Sequence, residues 1–159
     1  ISIDFHFTIV GEINSSYHRK NFLELYSFIE ENNLTKRVSI YANIDYSKIS
    51  KFYKESDIFL LSSNDEPAAI SPLEAMGYGL INVCSDQCGT KTYIADKING
   101  FIFDPSNKLK LTDILNLLLT NEHCFKEVFY NVQKSLETIS KNNYYKYFLN
   151  MINDKFSKY

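Results

Sequence analysis

The chain has 159 residues, 45% of them hydrophobic and 23% charged, with a formal net charge of −2; that is enough for one domain with a substantial core. The charge balance gives no overall electrostatic case for nucleic acid, and no apolar run approaches a membrane span, so a soluble protein is expected. Cys84, Cys88 and Cys124 are an odd number of cysteines without a signal-peptide pattern, which argues against a disulfide framework and for a reduced, cytoplasmic setting.

The chain opens on Ile1 rather than methionine and reads as a piece of a longer protein. Residues 5–11, FHFTIVG, form an apolar run of β-formers ending at a glycine, the pattern of a buried strand. After a turn over 12–16, a helix over 17–33 sets Phe22, Leu25, Tyr26 and Ile29 on one face. Arg19 and Lys20 lie well past the strand end and read as a solvated helix face rather than a phosphate-binding pair. Residues 37–42, RVSIYA, give the next strand, and Asp45 caps a helix over 46–55. In open α/β sheets the ligand crevice lies beyond the carboxyl ends of the strands, which puts Asn43 and Ile44 in position to line a base pocket; a plain loop is the equal alternative. Residues 57–62 form a short apolar strand that delivers the chain to Asn64.

The stretch 64–89, NDEPAAISPLEAMGYGLINVCSDQCG, carries the chemistry. Ser71 and Pro72 suit a first helical turn, Leu73 to Met76 are strong helix formers, and Gly77 and Gly79 end the run. Ile70, Leu73, Met76 and Leu80 recur at helical spacing and are expected to face a core. Glu74 sits beside that stripe, partly exposed, and an ionised carboxylate there suits a partner with neighbouring hydroxyls such as a ribose. The amides of Ala69, Ile70 and Ser71 point out of a helix N-terminus, which favours phosphate. Glu66, in the preceding loop, falls on the far side of that phosphate position. Hydroxyls at both ends and phosphate in the middle describe a nucleotide sugar. On spacing alone, one of two such glutamates is more commonly a solvated face charge.

Residues 80–85 give another strand, 89–96 a short helix and 100–103 a last strand. Strand and helix alternate throughout, as in a parallel sheet covered by helices on both faces. From Asn107 to Tyr159 the pattern is helical only. Leu109, Leu111, Ile114, Leu115, Leu117 and Leu118 give one apolar face, and Phe125, Val128, Phe129, Val132, Leu136 and Ile139 another. The tail over 141–159 mixes lysines with tyrosines and phenylalanines; it reads as a packed terminal helix, with peripheral contact at an anionic membrane as the second reading. Cys84 and Cys88 lack further ligands at metal spacing and read as small buried residues, and His6, His18 and His123 as structural or exposed.

The run EPAAISPLEAMGYGL, then INVCSD, then NGFIF resembles the C-terminal half of the retaining group 1 glycosyltransferases of family four, which have the GT-B fold. Glu66, Leu73, Glu74, Ala75, Met76, Gly79, Ser85, Asp86, Asn99, Gly100 and Phe103 fall on that family's pattern. The resemblance implies a Rossmann-like donor-binding domain over 1–159, with 107–159 as its C-terminal helical region. It implies that Glu74 holds the donor's ribose, that Glu66, the catalytic candidate, contacts the transferred sugar, and that the amides of Ala69 to Ser71 hold the diphosphate. The partner implied is a nucleoside-diphosphate sugar, with no metal or other cofactor, serving polysaccharide or lipid-linked glycan synthesis on the cytoplasmic side of the membrane.

The departures also carry weight. Ala68-Ala69 replaces the family's Phe-Gly pair, Ile81-Asn82 its Pro-Val, and Thr90 to Tyr93 stand where a glutamate is common. Five strands are read where the family's half has six; the first, with its helix and the Arg and Lys that help bind the diphosphate, is missing, as is the N-terminal acceptor-binding half. A sugar-nucleotide epimerase of GT-B fold and a non-catalytic nucleotide-sugar-binding or protein-interaction domain are the rival readings.

Overall fold

The computed structural model describes residues 4–139; the tail over 141–159, read as a packed terminal helix with membrane contact as the second reading, lies outside them. The chain divides into two compact units, Ile1–Glu55 and Ser56–Tyr159, where the sequence reading has one domain.

The first unit holds two parallel strands and two helices. β1 (Phe7–Gly11) pairs with β2 (Val38–Ala42), Phe7 opposite Val38 and Gly11 opposite Ala42. α1 (Ser16–Glu31) starts at Ser15, whose side chain accepts the His18 N–H, and α2 (Tyr46–Lys54) starts at Asp45, whose carboxylate accepts the Ser47 N–H. Each cap satisfies a donor that the first turn leaves without an intrahelical partner. Ile29 and Tyr53 are the hydrophobic residues buried here. The expectation of a buried first strand is corrected: Phe7 and Val10 are exposed, and so is Tyr26 on the apolar face of α1. Two strands and two helices offer too little apolar area to close over both faces of a sheet.

The second unit carries the main core. β3 (Ile58–Leu61), β4 (Ile81–Ser85) and β5 (Gly100–Phe103) form a parallel sheet in the order β3-β4-β5. Every residue of β4 is buried, as its central place requires. α3 (Ser71–Gly77) packs on β4, and α4 (Lys108–Thr120) and α5 (Glu122–Ile139) pack on the sheet and on each other. Met76, Ile81, Val83, Phe101, Phe103, Ile114, Leu118, Val128 and Val132 fill the interior. Two further expectations are corrected: Leu109 and Leu117 on α4 and Phe129 on α5 lie in the open. The apolar residues of α4 cover more of its circumference than one packing face can hide.

The described strands form two sheets, one of two strands and one of three.

Replacing Met76 by Ala should cost about 2–5 kcal/mol, since its side chain is fully buried. Leu109→Ala, at a residue 79% exposed, should stay within about 0.5 kcal/mol. Urea denaturation, followed separately for each unit's transition, checks both.

Candidate functional site

The site grows from how the loop after β3 returns to the end of β4. Asp65 adopts φ 55°, turning the chain so that Glu66 runs parallel to Cys88 in an isolated bridge. The Glu66 N–H donates to the Gln87 carbonyl at 3.1 Å, and the Gly89 N–H donates to the Glu66 carbonyl at 2.9 Å. These bonds bring the loop so close that a Cβ on Gly89 would stand 1.9 Å from the Pro67 carbonyl oxygen. A glycine is required there for contact, not for its torsion angles.

The same turn holds a small buried network. Cys88 Sγ lies 2.9 Å from Thr90 Oγ1. Burial pushes the Cys88 thiol up, but hydrogen bonds from Thr90, Cys84 and the Ala69 amide outweigh it and lower its pKa. Burial, reinforced by neighbouring Cys88, pushes the Cys84 thiol up to about 12. Both sulfurs are buried, as the sequence suggested.

Beyond the loop, α3 begins at Ile70, which has no side-chain cap, and Pro72 sits in the first turn. Asn82 is fully buried on β4, and its Nδ2 donates to the Pro72 carbonyl at 3.1 Å, fixing the start of α3 to the central strand. Gly79, at φ 87°, turns the chain from α3 towards β4.

The predicted site residues divide accordingly. Glu66, Ala69, Ile70, Ser71 and Glu74 come together on the loop and first turn of α3, and Glu66 and Glu74 are both partly buried. One Glu66 carboxylate oxygen accepts the Ala68 N–H at 3.3 Å. The Ile70 and Ser71 N–H groups have no partner among the described residues. One detail is corrected. Ile70 is 68% exposed, because as N-cap it lies outside the helical face that Met76 and Leu80 bury.

Asn43 and Ile44 belong to the first unit. Asn43, at φ 53°, accepts the Ile13 N–H on Oδ1 at 2.7 Å and donates to the Ile13 carbonyl from Nδ2, so its side chain braces the loop after β1. Arg19 and Lys20 are exposed, as read from the sequence, and line an open depression with Asn14, Ser15, Leu23 and Glu24; Lys20 lies 3.7 Å from Glu24. Sequence reasoning missed the Asn82–Pro72 tie and a lysine, Lys91, whose ammonium donates to the Asp86 carbonyl. Asn82 had a signal, a polar residue in an otherwise apolar strand.

Gly89→Ala should destabilise the second unit by about 2–3 kcal/mol or more, since backbone must shift to admit the methyl group. Native-state labelling of Cys88, 1% exposed in the structure, should accelerate in the same variant. Unchanged stability together with unchanged labelling would contradict the contact.

Residues 2–144 match the family described as "Glycosyl transferases group 1". A glycogen synthase from Thermodesulfovibrio yellowstonii is 31% identical over 137 residues, covering 86% of this chain and 24% of that protein. The chain thus spans about a quarter of the length of this curated relative. Among solved structures, the C-terminal domain of the group 1 glycosyl transferase LpcC from Francisella tularensis superposes with TM-score 0.74 at 18% identity, covering 86% of this chain and 87% of that one. Anabaena HepE, solved in complex with UDP, gives TM-score 0.76 at 19% identity over 98% of this chain and 41% of that one. The loop, α3 and β4 described above thus have the fold of a GT-B C-terminal domain, and the chain belongs to the group 1 glycosyl transferases.

Proposed function

We propose that the chain is the donor-binding part of a retaining hexosyltransferase that takes a sugar from a nucleoside diphosphate to an acceptor hydroxyl. The observation that carries this reading is the grouping of Glu66, Glu74 and the open Ile70 and Ser71 amides on one loop and helix start, in a member of a glycosyltransferase family. HepE, which shares the fold, is known in complexes with UDP and with UDP-glucose, and that supports a nucleotide-sugar donor.

In the proposed reaction the bond between the anomeric carbon and the diphosphate oxygen breaks, and the acceptor oxygen bonds to that carbon on the same face while passing its proton to the departing diphosphate. The leaving diphosphate accepts hydrogen bonds from the Ile70 and Ser71 amides, which gain strength as charge develops on it. Glu66 accepts from the transferred sugar's hydroxyls and Glu74 from those of the ribose. No metal is invoked, because amide donors can take up the diphosphate charge. The acceptor, a polysaccharide or lipid-linked glycan met on the cytoplasmic side of the membrane, is bound by the N-terminal half of the parent protein. Among the described residues no helix is long and apolar enough to cross a membrane.

Calorimetric titration of the full-length parent with UDP, GDP and ADP and their glucose conjugates tests the reading. Heat should be released with one base, and Glu74→Ala should weaken that binding about tenfold or more. Absence of binding to every nucleotide would refute it. The 159-residue chain alone should transfer no sugar at a useful rate.

A further inference from the structure

β4 is buried at every residue, yet two of its residues, Asn82 and Ser85, are polar. Ser85 stands at the strand's end, where its Oγ accepts the Gln87 N–H at 3.0 Å and closes the turn that follows. Asn82 stands within the strand, fully buried between Ile81 and Val83. An amide taken out of water costs free energy unless each of its polar atoms finds a partner. Here Nδ2 donates to the Pro72 carbonyl at 3.1 Å, while Oδ1 has no partner among the described residues. The orientation of the amide follows from that contact, since a carbonyl accepts and cannot donate. The Pro72 carbonyl does not need the bond for its own sake, because the ladder of an α-helix over Ser71–Gly77 already assigns it the Met76 N–H. For stability alone, an apolar side chain is the better occupant of position 82.

What the bond does is orient α3. That helix has seven residues and no side-chain hydrogen bond from its N-cap, Ile70. A helix so short has little stability of its own, and its direction is set by what it is attached to. Its first turn carries Glu74 and begins at the Ile70 and Ser71 amides. Upstream, the backbone bonds from Glu66 to Gln87 and from Gly89 to Glu66 hold the loop. Downstream, Asn82 reaches ten residues back to the residue after Ser71. The Pro72 carbonyl is one peptide on from Ser71 and two residues before Glu74, so a tilt of that carbonyl turns the amides and the carboxylate together.

We propose that Asn82 is a positioning residue of the donor site, its side-chain amide holding the first turn of α3 against β4 so that the Ile70 and Ser71 amides and the Glu74 carboxylate are set before a donor arrives. This role rests on the donor-binding reading and deepens it, because a buried residue that never touches the donor then governs how tightly the donor is held. Preorganised groups bind more tightly because less order has to be created on binding. Stability and binding therefore pull in opposite directions at position 82, as they do at functional positions generally. A residue serving the fold alone would move both in the same direction.

Asn82→Val and Asn82→Leu, made in the full-length protein, test the assignment. Neither side chain can donate to Pro72; valine is the residue that the family pattern carries here, and leucine branches where asparagine does. Calorimetric titration with UDP, GDP and ADP reads the affinity, and thermal denaturation reads the midpoint. For the nucleotide that the unsubstituted protein binds, both substitutions should weaken affinity about tenfold. The midpoint of Asn82→Val should equal or exceed that of the unsubstituted protein. Leucine is the larger side chain, and if overpacking lowers the midpoint of that variant, Asn82→Val alone decides. An affinity for Asn82→Val within twofold of the unsubstituted protein's would overturn the assignment while leaving the donor-binding reading intact. Weakened affinity together with a lowered midpoint in Asn82→Val would also overturn it, since Asn82 would then serve the fold. If the unsubstituted protein binds none of the three nucleotides, the donor-binding reading and this proposal fall together.

Discussion

The approach of Gly89 to the Pro67 carbonyl is the contact on which the site depends. The loop after β3 has no regular structure to hold it, and its place comes from two backbone hydrogen bonds to the turn after β4. Those bonds form only where the two backbones can come within ordinary contact, and any side chain on Gly89 would fill that space. Once the loop is seated, Glu66 is fixed beside Cys88 past the end of β4, and Ile70 and Ser71 are left with open amides at the start of α3. The tie from Asn82 to Pro72 fixes the other end of the same short segment. A functional loop positioned by a rigid scaffold is the common arrangement, because the scaffold bears the cost of order.

That scaffold is the second unit, and its stability is concentrated in β4. All five residues of that strand are buried, with neighbours on both sides and helices packed against it. The site's carboxylates and amides sit at the carboxyl end of the strand, where side chains need not be apolar. Met76 and Glu74 show the division within one short helix: Met76 is sealed in the core, while Glu74 is partly buried and meets water. The first unit is different in kind. With Ile29 and Tyr53 as its buried hydrophobic residues and Phe7, Leu23, Tyr26 and Phe28 in the open, it covers little apolar surface for its size.

Much of this was legible in the residues. The strands over 58–61, 81–85 and 100–103 follow from apolar β-forming runs, and the start of α2 follows from the capping side chain of Asp45. The half-burial of Glu74 follows from its place beside the Leu73–Met76–Leu80 stripe. What spacing could not supply was the cover on each apolar face. Leu109 and Leu117 have the same period as Ile114 and Leu118, and only the packing partner decides which pair is buried. Ile70 failed as a core residue because a cap lies just outside the periodicity that its helix obeys. Contacts between residues distant in sequence, such as Gly89 with Pro67 and Asn82 with Pro72, leave at most a hint in composition.

The central claim is that the strapped segment over 66–71 receives the phosphates of a nucleotide. Backbone amide chemical-shift mapping by NMR, with the protein titrated by whichever nucleoside diphosphate it binds, tests this most directly. The largest shifts should fall on the Ile70 and Ser71 amides, with smaller ones on Ala69 and Gly89 through the bonds that connect them. Saturable binding that leaves Ile70 and Ser71 unmoved, with the shifts elsewhere, would contradict the account.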